Sequence, residues 1–125
     1  MGSGCIIENH DGRILALIDR EGKFDLPKGK EDDKDRNPFQ TAQRETWEEC
    51  GIWVKPNDVT DFFTLTKLTL FVIEWRGQKP TITPNPETGE IEHQGWEWVT
   101  PEVFMSNCLG YLKPYVREYI LYHQT

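Results

Sequence analysis

Three carboxylates, Glu45, Glu48 and Glu49, crowd the end of the segment RETWEECG, residues 44–51. On a helix their spacings of three and four share one face, where like charges repel by about 0.2–0.5 kcal/mol per pair. They also fall in the closing turns, where the helix dipole disfavours anions by about 0.3–1 kcal/mol each. Arg44 can pair with Glu48 one turn on, in the weaker Arg-first order, which leaves two acids unmatched. Trp47 and Cys50 lie between the acids, so the helix has little freedom to turn them all outward. A solvated acidic face is the plain alternative. Converging carboxylates at an unfavourable helix end are what a hard divalent cation such as Mg2+ or Mn2+ takes, sharing its shell with water and substrate phosphates.

A calcium loop is the competing metal site. Asp33, Asp35 and Asn37 alternate as in an EF-hand, but Pro38 stands where the sharp-turn glycine belongs and Arg44 where the bidentate Glu belongs. The loop acids are read as solvating, with one of them anchoring Arg44.

The helix that must carry the acids is well marked. Asn37 is a good N-cap, Pro38 suits the first position, Phe39, Ala42 and Thr46 recur at helical spacing, and Gly51 closes it. Before it, GCIIEN and RILALI flank HDG as a hairpin, and a turn at EGK leads into FDLPKGK, an extended piece ended by Pro27 and Gly29. The opening MGSG is given no role. After the helix, IWV, DFFTLT and LTLFVIEW read as strands. The stretch Arg76–Gln94 is a long, proline-bearing loop of the kind that is functional or mobile. GWEWV is a short strand, TPEVFM a helix with a Thr cap, and KPYVREYILYH a final helix. Strands interleaved with three helices predict an α/β fold with a mixed sheet covered on both faces.

A length of 125 residues fits a single domain spanning 1–125, and 37% hydrophobic residues exclude a disordered chain. The net charge of −7 argues against broad nucleic-acid binding through a basic face. Cys5, Cys50 and Cys108 are an odd set that forms neither a disulfide framework nor a zinc site, which suits a reduced, cytoplasmic protein. No apolar run is long enough for a membrane span and no signal segment opens the chain. Monomer and homodimer stay equally open.

The segment GKEDDKDRNPFQTAQRETWEECGI, Gly29–Ile52, resembles the Nudix box, G-x5-E-x7-R-E-U-x-E-E-x-G-U with U aliphatic. Arg44, Glu45, Glu48, Glu49, Gly51 and Ile52 all match. Asp35 stands at the first acidic position, eight residues rather than seven before Arg44, and Thr46 replaces an aliphatic residue. The likeness runs from GCIIEN to the last helix and implies a Nudix-like α/β/α sandwich with a mixed central β-sheet. LPKGK followed by RETWEECGI is similar to the box of diadenosine tetraphosphate hydrolases. EHQGWEWVTPE resembles the segment in which those enzymes and RNA 5′-pyrophosphohydrolases supply a further glutamate, matched here by Glu92, and LKPYVREYI is similar to their closing helix.

The resemblance implies a hydrolase of phosphoric anhydride bonds that uses Mg2+ or Mn2+. Its expected substrate is a dinucleoside polyphosphate, diadenosine tetraphosphate giving ATP and AMP. An RNA 5′ end or cap, and a nucleotide-binding module without catalysis, are the rivals. Glu45, Glu48 and Glu49 would be metal ligands, with Gly29 approaching through its backbone. Glu92 would complete the metal shell or take the proton from the attacking water, with Glu48 as rival base; otherwise Glu92 is an exposed loop acid. Arg44 would orient the cluster from behind. Lys28 and Lys30 are placed to meet phosphate oxygens, or are solubilising surface charges. Phe24 and Tyr111 are candidates for stacking a base, and His93 for touching a phosphate unless it faces solvent. Phe62, Phe63, Phe71 and Trp75 are expected in the core, and the stripe of Tyr111, Tyr115, Tyr119 and Tyr122 to pack.

Overall fold

Side-chain alternation along β1 (Gly2–Glu8) sets the architecture, because both faces of this strand are covered. Cys5 and Ile7 join Leu15, Leu17, Ala42 and Cys50 on one side, while Ile6 joins Ile14, Ala16, Leu70 and Val72 on the other. A strand buried on both faces belongs in the middle of a sheet. In the computed structural model, which describes residues 1–125, β1 pairs antiparallel with β2 (Ile14–Asp19) and β4 (Lys28–Lys30), and parallel with β6 (Leu68–Glu74). β2 also pairs with β3 (Phe24–Asp25) and β7 (His93–Val99), and β6 with the edge strand β5 (Val59–Leu65), giving a mixed seven-stranded sheet. Helix α1 (Pro38–Cys50) covers one face, and α2 (Pro101–Asn107) with α3 (Lys113–Glu118) the other. This is the α/β/α sandwich with a mixed central sheet.

α1 begins and ends as its residue types dictate. The Asn37 side chain accepts the Gln40 N–H at 2.9 Å, Pro38 occupies the first turn, and Thr41, Ala42, Thr46 and Cys50 are buried. Gly51 turns left-handed at φ 69° and its N–H donates to the Trp47 carbonyl at 3.0 Å, a conformation that costs glycine little.

Several expectations change. The opening residues are structural: Gly2, Ser3 and Gly4 pair with Lys30, Gly29 and Lys28 of β4. IWV is no strand; Ile52 and Val54 are buried and Trp53 exposed, but the Val54 carbonyl accepts from the Gln43 side chain at 2.7 Å instead of a neighbouring strand. Alternation there reports burial, not ladder pairing. The long loop ends at Glu92, since β7 already starts at His93. The closing helix is interrupted, with a 3₁₀ turn at Gly110–Leu112 before α3 and a π-type turn at Tyr119–His123 after it. All three cysteines are free and buried, and burial pushes the Cys5 and Cys50 thiols up to about 12. No helix is long and apolar enough to cross a membrane.

Candidate active site

The acidic side of α1 carries the half-buried Glu45, Glu48 and Glu49 into one cleft, where Glu92 and His93 meet them. Arg44 holds the near side of this group. Its guanidinium donates to Asp35 at 2.8 and 3.2 Å and to the Lys30 carbonyl at 3.0 Å. It also donates to Glu45 at 3.1 Å and Glu48 at 3.2 Å, so it relieves one acid more than the i,i+4 spacing alone allows. Arg44 is the chief reason that the Asp35 carboxyl drops to about 2. Two of the would-be calcium ligands are thus engaged elsewhere: the Asp35 carboxylate anchors Arg44 and the Asn37 amide caps the helix, which leaves no calcium loop.

The far side of the cluster lacks such relief. Burial, with Glu45 adding repulsion, pushes the Glu49 carboxyl up to about 9. Burial also raises Glu45, against the pull of Arg44. Glu49 accepts the backbone N–H of Lys28 at 3.0 Å. Beside it, Gly29 leaves the space that the Glu45 carboxylate occupies: a Cβ on residue 29 would lie 2.1 Å from that carboxylate. Close backbone approach, foreseen for Gly29, is thus made to Glu45.

A buried network behind the cleft orients His93. Asp25 accepts Lys28 Nζ at 2.8 Å on one oxygen and faces His93 Nε2 at 3.0 Å with the other. Burial alone would raise Asp25, but His93 and Lys28 outweigh it and hold the carboxyl below its usual range. An ionised Asp25 needs a proton on Nε2, which leaves Nδ1 facing Glu49 Oε1 at 3.9 Å. One donor atom each from Glu49, Glu92 and His93 lie within 4.8 Å of one another. Crowded carboxylates with an aligned imidazole fit a divalent cation that retains water and phosphate oxygens in its shell.

The loop after β6 delivers Glu92. At the C-terminus of α1, where carbonyls lack partners, the Thr81 N–H donates to Cys50 C=O and the Thr83 hydroxyl to Glu48 C=O, both at 2.8 Å. Asn85 then closes a tight turn on Glu87 and Thr88 and donates to Glu92 at 3.4 Å.

The remaining sequence candidates separate. Gly29, Lys28, Lys30 and Tyr111 border a second pocket of about 380 Å3, together with Lys67. Lys28 is neither a free phosphate clamp nor a surface charge: its side chain is mostly buried against Asp25, with Nζ 5.3 Å from the centre of the Tyr111 ring. Phe24 cannot offer a stacking face, because it is buried 5.8 Å from Phe104. His93 does not face solvent; it is buried in β7. Of the tyrosine stripe, Tyr115 and Tyr119 pack while Tyr111 and Tyr122 are exposed, since the 3₁₀ and π turns break the helical phase. Phe62 is also exposed, on the edge strand over Phe71, whereas Phe63 and Phe71 are buried as expected. Sequence reasoning missed Asp25, Lys67, Thr83 and Asn85. Only Asp25 left a signal, as a charge between the core residues Phe24 and Leu26.

The NUDIX domain family matches residues 1–118. An RNA pyrophosphohydrolase of Bartonella tribocorum is 26% identical over 141 aligned positions, covering 88% of this chain and 81% of that one. A MutT-like protein of Streptomyces ambofaciens is 30% identical over 98 positions; the match takes in 78% of this chain and 61% of that one. Among solved structures, a C. elegans Ap4A hydrolase complex superposes with a TM-score of 0.71 at 17% identity, covering 98% of this chain and 97% of that one, which speaks to the fold. With its acids gathered on α1 and the family match running through nearly all of the sheet and helices, the chain belongs to the NUDIX domain family and is a Nudix hydrolase.

Proposed function

We propose that the protein is a divalent-metal-dependent pyrophosphohydrolase of dinucleoside polyphosphates, cutting diadenosine tetraphosphate to ATP and AMP. The carrying observation is the adjacency of two unlike surfaces. Gly29, whose backbone abuts the Glu45 carboxylate, is also a wall of the pocket that holds Lys30, Lys67 and Tyr111. A phosphate chain suits the lysines, a base suits the exposed Tyr111 ring, and the anhydride then lies over the acids.

Glu45, Glu48 and Glu49, with the Glu92–His93 side of the cleft, would hold a Mg2+ or Mn2+ ion, which would supply neutralisation of phosphate charge and polarisation of phosphorus. Glu92, or Glu48 within the helix, takes a proton from water as the water oxygen bonds to phosphorus. The bridging P–O bond breaks, and its electron pair leaves with the departing phosphate. Arg44 keeps Glu45 and Glu48 aligned, and Asp25 keeps His93 Nδ1 turned toward the cleft.

A second reading, removal of pyrophosphate from an RNA 5′ end, draws on the Bartonella relative's name. The net charge of −7 favours a short 5′ terminus over a long RNA track. Chromatography of products from diadenosine tetraphosphate, triphosphorylated RNA and capped RNA, each with Mg2+, separates the readings. ATP plus AMP with little RNA turnover supports the first; preferential release from RNA moves the function to the second; silence on all three leaves a nucleotide-binding module.

A further inference from the structure

The acid cleft has another neighbour that the reaction above does not use. Trp47 rises from α1 beside Glu48 and is 52% exposed. Trp53 meets it edge-on, with ring centroids 6.2 Å apart and planes at 87°. Trp47, Glu48, Thr83 and Pro86 border a pocket of about 400 Å3, and the last three of these border the acid cleft as well. The lysine pocket reaches the acids at Gly29 and Glu45; this one reaches them at Glu48.

The chemistry of the Trp47 pocket differs from that of the lysine pocket. No Lys or Arg lines it, and Glu48 stands at its mouth, so it suits a neutral group rather than a phosphate. The Gln78 amide at its rim supplies a donor and an acceptor for ring edges. An indole already fixed by an edge contact loses little further freedom when a flat ring covers it. We propose that Trp47 is a stacking platform for a second nucleobase, the one joined to the far side of the cleaved anhydride. This deepens the hydrolase reading and rests on it: the preferred substrate carries an aromatic group at both ends of its phosphate chain.

Steady-state kinetics with Mg2+ on diadenosine tetraphosphate and on adenosine 5′-tetraphosphate, which has one base, test the proposal in the wild type, Trp47→Ala and Trp47→Phe. Loss of one stacked base raises KM for the two-base substrate by about 5- to 150-fold in Trp47→Ala. kcat changes little, the one-base nucleotide shows a KM change at least fivefold smaller, and Trp47→Phe restores most of the loss. Equal losses on both nucleotides, a loss in kcat alone, or no loss on the two-base substrate overturns the subsite while the hydrolase reading stands. If the wild type hydrolyses neither nucleotide, the hydrolase reading fails. The subsite is then judged by indole fluorescence during titration with diadenosine tetraphosphate in Ca2+. A quench that disappears in Trp47→Phe supports it, and identical curves, or no quench in the wild type, overturn it.

Discussion

Arg44 and Glu49 lie within two turns of one helix, yet their surroundings are opposite. Around Arg44 one guanidinium serves Asp35, Glu45 and Glu48, so each of these acids has a cationic partner. Around Glu49 the nearest cation, Lys28, is engaged by Asp25, and the carboxyl is pushed up to about 9. One half of the cluster is a finished ion-pair network that fixes geometry. The other half is deficient in positive charge until a ligand arrives. The contrast shows how a fold divides a single run of acids into scaffold and working surface.

The largest expected break falls on Glu48, an acid that Arg44 aligns and the reaction uses. Glu48→Gln should lower kcat by about 10²- to 10⁴-fold while circular dichroism and Tm stay near wild type; undiminished turnover would sink the mechanism. Asp25→Asn acts one step further back: His93 loses its anionic partner, and Mn2+ affinity read by isothermal titration should fall by about 10- to 100-fold. An unaltered affinity would show that His93 does not need its partner.

The scaffold half should answer in stability instead. Asp35→Asn removes charge-assisted bonds to Arg44 and should cost about 1.5–3 kcal/mol in denaturant unfolding. Because the native Asp35 carboxyl sits near 2, below its ordinary 3.8, its contribution is present above about pH 4 and is lost as pH falls toward 2. The variant's stability should therefore converge on wild type in acid.

Glu49 gives the most particular signal. Its raised carboxyl binds a proton in the native state that the unfolded chain has released, so the metal-free protein loses stability as pH climbs from about 4.5 to about 9. A divalent cation should displace that proton. Titration in buffers of differing ionisation enthalpy should report about one proton released near neutrality, and none released would place Glu49 outside the cation's reach.

Local signals carried much of this molecule. The boundaries of α1 follow from Asn37, Pro38 and Gly51, residues whose effects act within one turn, and the acid spacing marked the cleft. What stayed hidden depends on partners distant in sequence. Asp25 and His93 lie 68 residues apart and meet only because β3 and β7 flank β2. Phe24 and Phe62 carry the same side chain, but one lies under α2 and the other on an open edge, a difference that sheet order decides. The tyrosine stripe failed for a subtler reason, since periodicity assumes an unbroken helix and the chain changes its turn type at both ends of α3.

The strap made by Thr81 and Thr83 joins the end of α1 to the loop that bears Glu92 and walls the Trp47 pocket. On the α1 side only a backbone N–H and a hydroxyl make the attachment, so residues 86–90, beyond the Asn85 that holds Glu92, can change their lettering without loosening Glu45, Glu48 and Glu49. Such a loop is an exchangeable part: lineages could acquire new substrates by rewriting it while the helix keeps its chemistry.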